Sequence, residues 1–276
     1  MSELAPLDPE LVADVLSKHP FVTIDGVYNV RDLGRIPTAD GQHVTRSSFI
    51  FRGGELPGVT QLGEEQLRAL GVTTIFDLRS DTEIAKYDAA TPKIKGITVL
   101  HTPVFTKEDY SPERMAQRFQ LYASGTTEAF MQLYSEILDA GGPAFGSILR
   151  HVRDSPNVGF LFHCTAGKDR TGIAAALLLL LAGVSNDAIS ADYSLTRIGR
   201  EPMRPIILSR LAREPIFASD PTAAHNMLSS REETMGAFIT MLDERYGGVK
   251  EYVQRKCGFT DQDITTIREN LLVPKP

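Results

Sequence analysis

Residues 158–184 read VGFLFHCTAGKDRTGIAAALLLLLAGV, and their reading decides the fold. The stretch has three parts. Val158–Phe162 is a short apolar run bounded by Pro156. That is the pattern of a buried core strand. The strand ends at His163, and a polar loop follows, Cys164-Thr165-Ala166-Gly167-Lys168-Asp169-Arg170. From Thr171 the chain stays apolar for about three turns, which predicts a helix buried on every side. Together with the segments around it, this strand–loop–helix unit predicts a sheet with helices on its faces.

A loop of this kind suits an anion. Its successive backbone N–H groups can converge on one concavity, and the helix N-terminus adds a partial positive charge there. Gly167 allows the tight turning that a side chain would block. Arg170 stands six positions after Cys164. Its planar guanidinium can curl over the cradle and hold two phosphate oxygens at once, which a lysine cannot do. A cysteine at the cradle floor is favoured as a thiolate by the same groups. Beneath a bound phosphate it is placed for in-line attack on phosphorus. Thr165, Ala166, Gly167, Lys168 and Thr171 are the candidate phosphate ligands. His163 is read as a support that orients the loop. The leaving oxygen also needs a proton. Three carboxylates are candidates: Asp169 in the loop, Asp77 in Phe76-Asp77-Leu78-Arg79-Ser80, and Asp109 in the loop Phe105–Pro112.

Working outward, residues 1–18 predict a short helix. Phe21–Val30 alternates around Asp25-Gly26, a hairpin signal. Phe49–Phe51, Val72–Leu78 and Ile97–Leu100 read as strands, and Gly63–Leu70 as a helix stopped by Gly71. Pro112–Arg153 reads as helical, interrupted at Gly125 and at Gly141-Gly142. Helices dominate from there to the C-terminus, including Ser230–Tyr246 and Asp261–Leu272. The expectation is an α/β chain with a central mixed, largely parallel sheet flanked by helices and a helical C-terminal part. We expect one domain over 1–276, with 1–20 as an N-terminal helical extension. Residues 111–153 and 195–230 are helical insertions and candidate lids.

Composition agrees with an ordinary globular chain. It has 276 residues, 42% hydrophobic and 23% charged, with a net charge of −6. These values exclude a disordered or fibrous chain and speak against a broad nucleic-acid-binding surface. Cys164 and Cys257 are the only cysteines, so no disulfide framework is expected. The N-terminus lacks the usual secretory pattern. The longest apolar stretch, Ile173–Val184, is too short to span a bilayer. The expected location is the cytoplasm, without integral membrane association. Neither a metal nor a cofactor is called for, because Arg170 and the backbone supply the positive field. The oligomeric state is not legible.

His163–Gly172 fits H-C-x5-R-[ST]-G, the signature of cysteine-based phosphatases. The chain resembles the atypical protein tyrosine phosphatases of bacteria and fungi, whose loop reads C-x-x-G-K-D-R-T-G. Asn29-Val30-Arg31-Asp32-Leu33-Gly34, Asp77-Leu78-Arg79-Ser80, Ala191-Asp192-Tyr193, Tyr246-Gly247 and Ile267–Leu272 are similar to further segments of that family. The resemblance runs over residues 25–272, with gaps. It implies a cysteine-phosphatase-like fold and hydrolysis through a phosphocysteine. It also implies that Lys168 and Asp169 belong to the site, Asp169 being the favoured acid. The implied substrate is a phosphorylated protein, with a phosphoinositide as the alternative. The chain has no Trp, hence no W-P-D acid loop.

Plainer readings stand beside these. Cys257 reads as a core cysteine, its other role being a disulfide partner for an oxidised Cys164. Lys168 is either a solvated loop charge or a cation facing the substrate. Asp77 and Arg79 can simply lock loops together, and Arg31 and Asp32 read as a structural ion pair near the loop. Arg197, Arg200, Arg204, Arg210 and Arg213 surround one acid, Glu201. They form either a solvated helix face or a basic rim that draws in anions. Three other functions fit less well. A phosphate-binding module without catalysis would be expected to lack Cys164 or Arg170. A sulfurtransferase is a poorer match to the Cys-to-Arg spacing and to Thr171-Gly172. A nucleotide P-loop fails because Asp169 follows Lys168.

Overall fold

The computed structural model describes residues 5–106 and 111–275. Its centre is a five-stranded sheet of β1 (Arg31–Asp32), β3 (Ile50–Gly53), β4 (Val72–Asp77), β5 (Thr98–His101) and β6 (Gly159–His163). The strand order is β1-β3-β6-β4-β5. Only β1 runs antiparallel to its neighbour; the other pairs are parallel. A small second sheet pairs β2 (His43–Thr45) with β7 (Leu272–Pro274). The sheet is therefore mixed and largely parallel, with helices on its faces, as its apolar runs predict.

Alternation along the strands divides the core. Phe160 and Phe162 of β6, with Phe76 of β4 and Ile50 of β3, face the helices Thr127–Asp154 and Asp169–Ala182. Leu161, Ile75 and Phe51 face the other way, toward Leu67 and Ile97. β6 is buried at every position because it is central and covered on both faces. Asp169–Ala182 is likewise buried almost all round. It ends at Gly183, whose φ of +82° suits glycine.

Three expectations need correction. Gly141-Gly142 does not interrupt a helix, since Thr127–Asp154 runs through both. A Cβ on Gly142 would sit 2.3 Å from the Lys256 carbonyl oxygen, so the glycine admits a crossing backbone. Phe21–Val30 forms no hairpin of regular strands, only the isolated bridges Phe21–Arg31 and Ile24–Val27. Leu272, read as the last residue of a helix, instead opens the strand Leu272–Pro274, which pairs with His43–Thr45.

The candidate lids also resolve differently. Most of 111–153 is core, with Phe130, Leu133, Tyr134 and Leu138 of Thr127–Asp154 fully buried. The helix Pro112–Ser124, ended by Gly125 in the left-handed region, packs Leu121 and Tyr122 against this core but turns other residues away from it. Its Phe119 packs with Ile207, Leu211, Phe217 and Ala223 of the segment 204–228, making a small apolar cluster distinct from the main core. Among the described residues, no helix is long and apolar enough to cross a membrane.

Candidate active site

Between this helical cluster and the C-terminal end of β6 lies a cleft of about 830 Å³. Cys164, Thr165, Ala166, Asp169 and Arg170 line its floor. Its walls are largely apolar, with Phe119, Tyr122 and Ile207 among them. A cleft outside the carboxyl ends of parallel strands is where α/β sheets bind ligands.

The loop is tied down from beneath. Asn29, at φ +62°, donates from Nδ2 to the carbonyls of Ala166 (3.3 Å) and Gly167 (3.2 Å). Arg52 of β3 donates to the same Gly167 carbonyl at 3.0 Å. Arg52 also pairs with Asp192 at 2.5 Å, and Arg31 with the other oxygen of Asp192 at 3.0 Å. Burial opposes the Asp192 charge, but the two arginines hold its carboxyl below the ordinary range. With its carbonyls pinned below, the loop can turn N–H groups the other way, into the cleft. Gly167 is needed for this, at φ +64°, because a Cβ there would meet Gly53 O at 2.4 Å. Arg31 therefore pairs with Asp192 rather than Asp32. Asp32 instead accepts hydrogen bonds from Gly34 N, Ser47 Oγ and Ser48 N.

Arg170 is held by a residue that sequence reasoning missed. Its Nη1 and Nη2 meet Glu83 Oε2 and Oε1 at 2.5 and 2.7 Å, a two-pronged pair. Thr165 Oγ donates to Glu83 as well, at 3.0 Å. Glu83 is fixed by the capping box it makes with Ser80 at the start of Asp81–Lys86. That Ser-x-x-Glu spacing is a readable signal, and it follows directly on Asp77-Leu78-Arg79.

Asp169 lines the cleft and accepts a hydrogen bond from Tyr134 at 2.9 Å. Tyr134 has one proton, so Tyr193, 2.6 Å away, must donate to Tyr134. Burial and the nearby Asp169 charge push the Tyr134 phenol well up, which keeps it a donor. Tyr193 is pushed up for the same reasons. The sequence alone assigns neither tyrosine a role, although Tyr193 belongs to the family-like segment Ala191-Asp192-Tyr193.

The remaining candidates sit behind the floor. His163 is buried, and its Nδ1 donates to the Cys164 carbonyl at 3.1 Å. Desolvation pushes its pKa down. Thr171 is buried, and no partner for its Oγ is found among the described residues. Asp77 is clasped by Arg79 and Thr91. Burial opposes its charge, but His163 and Arg79 hold its carboxyl far below the usual range. Asp77 is not among the residues that line the cleft. Arg79 bridges Asp77 and Glu55 at 2.8 and 3.1 Å. Asp109 lies outside the described residues.

Lys168 is buried rather than solvated, and its ammonium lies 3.6 Å from Asp169 Oδ1. Its ammonium is 1% exposed and donates to the carbonyls of Met227 (2.6 Å) and Ser229 (3.1 Å). It also lies over Phe130 and Tyr122. Burial lowers its pKa to about 8. The arginine cluster divides. Arg197 pairs with Glu201, and Arg210 with Glu55 at 2.8 Å. Arg213 is exposed, whereas Arg200 lines the cleft. Cys257 does not line the cleft; burial pushes its thiol to about 12.

Comparison with known proteins agrees with this geometry. Residues 22–273 match the tyrosine phosphatase family. A Cupriavidus necator protein provisionally named a tyrosine-protein phosphatase is 28% identical over 243 residues, 88% of this chain and 85% of that one. The triple specificity protein phosphatase PtpB of Mycobacterium tuberculosis is 27% identical, over 90% of this chain and 98% of its own. A tyrosine-protein phosphatase of Nostoc commune is 26% identical, over 86% and 78%. The chain belongs to the tyrosine phosphatase family and is an enzyme of the protein-tyrosine phosphatase kind.

Proposed function

We propose that the chain hydrolyses phosphotyrosine in proteins through a phosphocysteine at Cys164. The observation that carries this reading is the cleft floor, where Cys164, Asp169 and Arg170 meet at the start of one helix. The substrate's phosphate sits on the loop amides, its outer oxygens against Arg170. The Cys164 sulfur attacks phosphorus and forms an S–P bond as the bond to the tyrosine oxygen breaks. Asp169 gives its proton to that oxygen. Water then attacks phosphorus, Asp169 takes a proton from it, and the S–P bond breaks to release inorganic phosphate.

The cleft favours an aromatic ester. Its walls are rich in aromatic and aliphatic side chains that can pack on a phenol. The phosphoinositide reading asked for a wide basic mouth. It loses two supports: Lys168 is buried on carbonyls, and Arg210 is paired with Glu55.

The test is phosphate release from a phosphotyrosine peptide, a phosphoserine peptide and several phosphoinositides, wild type beside Cys164→Ser. Release from the phosphotyrosine peptide by wild type alone is expected. Equal release by Cys164→Ser would remove the mechanism, and a preference for lipid would move the substrate class.

A further inference from the structure

Arg200 stands out from its cluster. Arg197 and Arg204 lie beside Glu201, and Arg210 beside Glu55. Arg200 is half-buried in the cleft, with no carboxylate within ion-pair distance among the described residues. It lies within Coulomb range of Asp169 and Cys164, the two groups next to the expected phosphate. A guanidinium drawn out of water without a counter-ion is costly to hold. Burial lowers its pKa accordingly, against the opposing pull of Asp169 and Cys164.

The backbone that presents Arg200 is tied to the phosphate loop. Gly199 packs so closely on Asn29 that a Cβ would sit 2.2 Å from Asn29 Oδ1. Asn29 in turn holds the carbonyls of Ala166 and Gly167. Thr196, one turn earlier, accepts from Arg31 at 3.2 Å. The Arg200 amide closes that turn on the Thr196 carbonyl at 3.1 Å. Arg200 is thus held in register with the loop rather than carried on a loose rim.

We propose that Arg200 is a second phosphate-binding arginine, closing on the oxygens of the scissile phosphoryl group from the helical side of the cleft. Arg170, already paired with Glu83, grips from the β4 side. Arg200 supplies a positive charge with no carboxylate at ion-pair distance among the described residues, leaving it able to meet the phosphate. This rests on the proposed function, because it takes the phosphate to sit over Cys164.

Binding of inorganic phosphate, measured by calorimetry in the Cys164→Ser protein, tests it without turnover. Adding Arg200→Gln should weaken binding about tenfold or more, because a bond between two charged partners is lost. Arg200→Lys should recover part of the loss, and Arg213→Gln, at an exposed position, should leave binding unchanged. Unaltered binding in Arg200→Gln would overturn the proposal while leaving the loop as the phosphate site. An equal loss in Arg213→Gln would overturn it too, as an effect of overall charge. If the Cys164→Ser parent bound no phosphate at all, the underlying reading of the loop would fall first, and Arg200 with it.

Discussion

The phosphate loop has two faces built on opposite plans. Its underside is closed: Arg31 and Arg52 share the two oxygens of the Asp192 carboxylate, and Asn29 takes up the loop carbonyls. Its upper side is open: Asp169, Arg170 and Arg200 line an 830 Å³ cleft. The lower network has no reacting group; by holding the loop carbonyls from beneath it lets the loop amides turn toward the cleft before any substrate binds. Pre-aimed donors need no rearrangement at the moment of reaction. The difference teaches that arginines close in space serve two ends. Those below tie the loop down, and those above line the cleft, where we propose they meet the phosphate.

The largest effect should come from breaking the underside. Asp192→Ala leaves two buried guanidiniums without their carboxylate and should cost about 3–5 kcal/mol in urea unfolding. A loss below about 1 kcal/mol would mean that the arginines find other partners. Next, on the open face, Arg170→Lys should lower kcat/KM at least about a hundredfold with little change in stability. A near-normal rate would place the phosphate clamp elsewhere.

Lys168 sharpens the comparison, because it joins the loop to the 227–229 segment. Its pKa is about 8 in the folded chain, against 10.5 for an ordinary lysine. Between those values the unfolded chain holds more protons, so stability rises with pH across that window and is lost as pH falls through 8. Wild type should gain on the order of 2–3 kcal/mol over Lys168→Met from pH 8 to 10.5. Parallel stability curves would contradict a buried, charged Lys168. The smallest effect is expected of Tyr134→Phe, which keeps the packed ring and removes the donor to Asp169. It should lower kcat/KM several-fold for poor leaving groups and little for good ones, following Asp169→Asn in kind. A loss equal for both classes would make Tyr134 a packing residue only.

Legibility followed the distance between partners along the chain. The strand, loop and buried helix of 158–184 are local, and their periodicity and glycine positions declare them. The parallel strands were readable for the same reason. Glu83 pairs with a residue 87 positions away, and nothing in the local pattern beyond its capping box points to that. Asp192 was visible as part of a segment, yet its choice of Arg31 and Arg52 is tertiary. Lys168 misleads for a physical reason. A lysine in a polar loop reads as a solvated charge or as a cation facing the substrate, and neither pattern announces the distant carbonyls of Met227 and Ser229 that close over it. Gly141-Gly142 misleads in the opposite sense: tertiary packing overrides the low helix propensity of glycine, because a neighbouring backbone needs the room.

The account turns on a covalent bond between Cys164 and phosphorus. The most direct measurement is mass spectrometry of enzyme quenched in acid during turnover of a phosphotyrosine peptide. The account predicts a species one phosphoryl group heavier, the added group on the peptide containing Cys164, absent from Cys164→Ser. Turnover with no such species, or with the phosphoryl group on another residue, would contradict it.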